Sequence, residues 1–209
     1  MPRPRTFDED RAVDAAMRTF WANGYEATTT RELCEATGLG RSSIYNTFAS
    51  KHDLFERALA RYIETTTGAH LAILNDRRLS AMERIHALFA MIIEAEQENR
   101  RDGRGLGCLT VNMTVELAGR DPVAARTLEL DVERRLEAMR AVITAGQRDG
   151  DIASRRDPGT LALYVNTVIA GIRVAAQGGA ARDALEAIAA TAMDALAHST
   201  AANGSNTGI

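Results

Sequence analysis

The segment Thr28–Phe55 reads TTTRELCEATGLGRSSIYNTFASKHDLF, and it carries the side chains best suited to chemistry. Within it, Ile44 and Phe48 stand four residues apart, which puts them on one flank of a short helix. The other flank offers Arg41, Ser42, Ser43, Tyr45 and Asn46. These are hydrogen-bonding groups of modest size, suited to the base edges and phosphate oxygens of a duplex. Lys51 opens the next helix, where free N–H groups and the helix dipole favour an anion. The plainer reading is a three-helix subdomain whose surface is polar and nothing more.

Other chemistry finds little support. His52, His70, His86 and His198 show no metal-ligand spacing with Cys, Asp or Glu. The sequence holds neither a Gly-rich phosphate loop nor a nucleophile elbow. No metal and no cofactor is expected, and a helical enzyme or a protein-binding adaptor is the weaker alternative.

The elements that position these residues are expected to be helices. The chain has 209 residues, 45% hydrophobic and only 5% aromatic, rich in Ala, Leu, Arg and Glu. That points to an all-α protein of about nine helices, with one or two domains and a real core. Asp8 to Asn23 has helical periodicity through Val13, Ala16, Met17, Phe20 and Trp21, and Asn23-Gly24 stops it. Thr29 with Glu32 has capping-box spacing, and Gly38 closes the second helix after two turns. A third helix spans Arg41 to Phe48, and Ser50 with Asp53 caps a fourth. Further helices start at Ser80, at Asp121-Pro122 and at Asp157-Pro158, and a last one runs from Ala181 to His198. Cys108 to Leu117 is short and apolar, compatible by composition with a strand. No apolar run approaches the roughly 20 residues that span a bilayer, and the first ten residues hold no apolar signal core.

Net charge is −3, which does not advertise a nucleic-acid binder. The first 60 residues carry eight basic groups against nine acidic ones. DNA binding must therefore rest on where the charges sit. Two cysteines, Cys34 and Cys108, form no disulfide framework and fit a reducing cytoplasm.

Residues 7–60 resemble the DNA-binding domain of the tetracycline-repressor (TetR) family. Phe20, Gly24-Tyr25, Thr28-Thr29, Gly38-Leu39, Ile44-Tyr45, Phe48, Ser50-Lys51 and Leu54 fall where that family's pattern puts them. Thr47 departs from the usual His, and Cys34 from the usual hydrophobe. The resemblance implies a helix-turn-helix domain over 1–60 and an effector-binding and dimerisation domain over 61–198, and the small, polar composition of 199–209 points to a flexible tail. It implies phosphate contacts from Thr28, Thr29, Thr30, Tyr45 and Lys51. Arg41, Ser42, Ser43 and Asn46 would face the major groove. Arg41 would pair bidentately with guanine, a contact worth about 1–3 kcal/mol of discrimination, or else clamp a phosphate. Arg3 and Arg5 would enter a minor groove as an arm, or remain a solvated terminus.

The function implied is a homodimeric repressor on a palindromic operator, released by a small-molecule effector that shifts the fourth helix. Val165, Val168, Ile169, Ile172, Leu185, Ile188 and Leu196 would form the dimer face or fill the monomer core. Pocket candidates are Tyr62, Phe89, Met91, Ile92, Cys108, Asn112, Met113, Glu116 and Tyr164. Gly107-Cys108-Leu109, with Asn112, Glu116-Leu117 and Asp121-Pro122, resembles a subgroup in which some members sense oxidants or electrophiles through the cysteine. Redox sensing by Cys108 is therefore the alternative to ligand sensing, set against a thiol that is simply buried.

Overall fold

A computed structural model describes residues 9–101 and 106–198. Among the described residues there are nine α-helices and no strand: α1 (Glu9–Asn23), α2 (Thr30–Thr37), α3 (Arg41–Phe48), α4 (Lys51–Leu74), α5 (Ala81–Arg101), α6 (Leu109–Leu117), α7 (Pro122–Asp149), α8 (Pro158–Gln177) and α9 (Arg182–Ala197). The segment compatible with a strand is helix α6. The arms Arg3 and Arg5 and the tail 199–209 lie outside the described residues.

The local signals act as their chemistry requires. The Thr29 hydroxyl accepts the Glu32 N–H at 3.2 Å, and the Glu32 carboxylate accepts the Thr29 N–H at 2.7 Å, so the box caps α2 from both sides. Gly38 ends α2 in the left-handed region at φ 69°, where a Cβ would be strained. Ser50 accepts the Asp53 N–H at 3.0 Å and caps α4. Asp157 accepts the Thr160 N–H at 2.8 Å and caps α8, with Pro158 inside the first turn.

The described residues fall into two compact units, one within Met1–Ala69 and Glu98–Glu133, the other within His70–Gln97 and Arg134–Ile209. In the first, Phe20, Leu33, Ile44, Phe48, Leu54 and Phe55 are buried together with Leu109, Met113 and Leu117 of α6. Phe20 meets Phe55 edge to face at 5.2 Å. In the second, α5, α7, α8 and α9 bury Ile85, Phe89, Ile92, Ile143, Val165, Ile172, Leu185 and Leu196.

Helix α8 corrects one expectation, because it is long and apolar enough to cross a membrane by length and composition. Its inner face nevertheless lies in the core of the second unit, and that face includes Arg173.

Candidate nucleic-acid interface

Helix α3 has two unlike flanks, as its sequence requires. Ile44 is 1% exposed and Phe48 is fully buried, while Arg41, Ser42, Tyr45 and Asn46 are exposed and Ser43 is half-buried. The apolar flank is locked inside by α1, α2 and α4, so the polar one has nowhere to go but solvent. Arg41 lies over the Tyr45 ring at 5.7 Å, and no carboxylate pairs with it among the described residues. The Tyr45 and Thr30 hydroxyls meet at 3.2 Å and join α3 to the start of α2. That hydrogen bond, with the nearby Arg41 guanidinium, draws the Tyr45 phenol below its ordinary pKa.

Lys51 is half-buried at the start of α4. Its ammonium sits 4.4 Å above the Tyr25 ring and 3.5 Å from the Glu26 carbonyl oxygen. Cationic and hydroxyl groups of α2, α3 and α4 thus come together within one unit.

The three threonines divide. Thr28 is 1% exposed and donates its hydroxyl to the Gly24 carbonyl at 2.6 Å, so it closes the α1–α2 turn and is not open to a phosphate. Thr29 is exposed but engaged with Glu32. Thr30 is half-buried and points at Tyr45. A bridge without local signal lies close by: His52 contacts Asp121 at 2.6 Å and Glu56 at 2.9 Å. Asp121 also caps α7 through the Val123 and Ala124 N–H groups, both at 3.0 Å. Its partner being 69 residues away, nothing in the sequence around His52 announces the pair.

The effector-pocket candidates are divided between the two units. Tyr62, Cys108, Asn112, Met113 and Glu116 belong to the first unit, and Phe89, Met91, Ile92 and Tyr164 to the second. Met113, Phe89 and Ile92 are core residues, each 1% exposed. Phe89 also edges a cleft of about 470 Å³ with His86, Ile93 and Met193. Met91 packs half-buried on the core, and Tyr164 is exposed on α8. Asn112 donates to the Leu106 carbonyl at 2.9 Å, and Glu116 accepts two backbone N–H groups of the α1–α2 turn.

Cys108 is 4% exposed, next to the Tyr62 hydroxyl at 3.5 Å and the Thr110 hydroxyl at 3.1 Å. A thiol sealed in a core is not presented to an oxidant, so the redox alternative is not favoured. Cys34 packs half-buried against the core of the first unit.

The dimer-face candidates of α8 and α9 lie mostly inward in the single chain. Val165, Ile169, Ile172, Leu185 and Leu196 lie in the core of the second unit, Val168 is half-buried and only Ile188 is exposed. The solvent face of α8 is instead Leu163, Tyr164, Thr167, Gly171 and Val174. Both faces of this helix are apolar, and the more apolar one turned inward.

Residues 12–58 match the family model of bacterial regulatory proteins of the tetR family, and residues 81–193 match the tetracyclin repressor-like C-terminal domain. The chain is 31% identical over 191 residues to the HTH-type transcriptional repressor ComR of Escherichia coli K12, covering 91% of this chain and 90% of ComR. It is 27% identical over 197 residues to the repressor BdcR of the same organism, covering 93% and 91%. A solved structure of a cysteine mutant of the TetR family regulator CifR, complexed with 26-base-pair double-strand operator DNA, superposes with a TM-score of 0.80 at 29% identity, covering 93% of this chain and 100% of that one. The two-flanked α3, the capped α2 and the matched models of both halves lead to one assignment: this chain belongs to the TetR family of bacterial transcriptional regulators, which are DNA-binding proteins and not enzymes.

Proposed function

We propose that the chain is a homodimeric cytoplasmic repressor that binds a palindromic operator and leaves it when a small-molecule effector binds. The observation that carries the reading is the outward flank of α3, where Arg41, Tyr45 and Asn46 are exposed over a buried Ile44 and Phe48. Residues 1–60 read DNA: Arg41, Ser42, Ser43 and Asn46 face base edges, while Thr30, Tyr45 and Lys51 hold phosphates. Residues 61–198 bind the effector and the second copy. One such domain reads few bases, so a two-fold pair on two half-sites supplies affinity and specificity together. The relatives named repressors and the neighbour complexed with operator DNA support this reading.

Mobility shift with DNA from upstream of the protein's own gene, at two salt concentrations, tests it. Arg41→Ala and Tyr45→Ala are each expected to weaken the specific shift markedly while dichroism and dimer mass stay unchanged. A specific shift of wild-type strength in both variants rejects the interface.

A further inference from the structure

We propose that Glu116 of α6 is a positioning residue for DNA binding, a carboxylate clamp that fixes the α1–α2 turn and thereby the seat of Lys51. This rests on the reading of Lys51 as a phosphate contact. The Glu116 carboxylate accepts the Tyr25 N–H at 3.1 Å through Oε2 and the Glu26 N–H at 2.8 Å through Oε1. Two adjacent amides on one carboxylate are charge-assisted bonds, stronger than neutral ones and demanding in geometry. These residues also form the seat of Lys51, whose ammonium lies over the Tyr25 ring and against the Glu26 carbonyl. The carboxylate thus holds from behind the two residues that hold Lys51 from the front.

The backbone beside the clamp dictates a residue type. Gly24 has φ +81°, and a Cβ there would stand 2.8 Å from Glu116 Oε2. A side chain at Gly24 would be strained by its backbone and would push the Glu116 carboxylate off its two amides. The base of α6 is fastened independently: Trp21 donates its indole N–H to the Gly107 carbonyl at 3.1 Å. Glu116 has no need to hold α6 in place for folding, because Leu109, Met113 and Leu117 already bury its apolar face.

The test is a double-mutant cycle on operator affinity with Glu116→Ala, Glu116→Gln, Lys51→Ala and Glu116→Ala/Lys51→Ala, using the full chain and a labelled operator duplex. Glu116→Ala is expected to weaken binding about tenfold, the loss of two charge-assisted bonds to the turn. Glu116→Gln, which keeps one carbonyl acceptor, should recover part of that loss. Little further loss is expected from Glu116→Ala once Lys51 is gone, because the clamp acts through it. If Lys51→Ala weakens binding but both Glu116 variants bind at or above wild-type strength, or if the two losses simply add, the clamp is overturned alone. If Lys51→Ala binds normally, the phosphate reading of Lys51 falls and takes the clamp with it. Should Glu116→Ala not fold, the isosteric Glu116→Gln decides by the same criteria.

Discussion

The hydroxyls of Thr30 and Tyr45 lie 3.2 Å apart, one at the start of α2 and the other on the outward flank of α3. In the proposed reading each hydroxyl also holds a phosphate, so the bond between them orients both for that contact. Tyr45→Phe removes the phenolic hydroxyl and keeps the ring beneath Arg41. We expect operator binding to weaken about threefold to tenfold, equally on all operator variants, with the unfolding midpoint unchanged. Fluorescence anisotropy against wild-type and single-base-changed operators checks this, and a loss confined to one base position contradicts it.

Arg41 makes the opposite prediction. Its guanidinium is exposed over the Tyr45 ring and no carboxylate pairs with it among the described residues, and in the proposed reading it contacts a base edge. Arg41→Ala should cost about 1–3 kcal/mol and relax preference at one base pair in each half-site. A loss that is uniform across operator variants would identify Arg41 as a phosphate clamp instead.

Which features could be read in advance follows from how local their causes are. Helices α1 and α2 end at Asn23 and before Gly38, and α4 begins after Ser50, because caps and turns act within four residues. The two flanks of α3 were readable for the same reason. A threonine hydroxyl serves a phosphate or its own chain equally well, so the sequence does not announce that Thr28 bonds back to Gly24. The solvent stripe of α8 was hidden by composition: Leu163 and Val174 differ from Val165 and Ile172 only in which way the helix turns. Glu116 and His52 find partners 90 and 69 residues away, a separation no spacing rule reaches.

His70 gives a prediction in pH. Burial, with the positive charges of Arg173 and Arg135, lowers its pKa to about 3. Its Nε2 lies 3.3 Å from Arg173, which pairs with buried Glu96 at 3.2 Å. The unfolded chain takes up the imidazole proton near pH 6.5 and the folded chain does not, so stability is lost as pH falls below that value. From pH 7 to pH 5 this one group should remove about 2 kcal/mol. Burial raises the Glu96 pKa, which works in the opposite direction, so the His70 contribution is the difference between wild type and His70→Asn. Urea unfolding should be steeper in pH for wild type than for His70→Asn, and equal slopes refute the assignment.

Gly146 offers a packing prediction. A Cβ at this position would stand 2.6 Å from the Ala81 Cβ and 2.8 Å from the Ile152 side chain, both buried. Gly146→Ala should therefore destabilise by about 1–3 kcal/mol, although alanine is the better helix former. An unchanged or raised unfolding midpoint would mean that the close approach of α5 to α7 relaxes freely.

The proposed dimer is best tested on α8. Leu163 is 54% exposed and Val174 55%, with Thr167 and Gly171 between them on the same side of the helix. Spacings of four, four and three residues make one stripe, and the small Thr and Gly permit another helix to approach closely. Ile188 extends the apolar surface onto α9. In a two-fold pair each substitution occurs twice and faces its own copy, so a carboxylate placed there brings like charges together. Leu163→Glu and Val174→Glu are each expected to weaken dimerisation at least about tenfold, which sedimentation would show as a monomer, with helical content retained because both side chains project away from the core. Operator binding should fall with the dimer and recover in part as protein concentration rises. Ile169→Ala is the contrast: 6% exposed, it should lower the unfolding midpoint and leave the dimer constant nearly unchanged. If the glutamate variants remain dimers, the pairing face lies elsewhere.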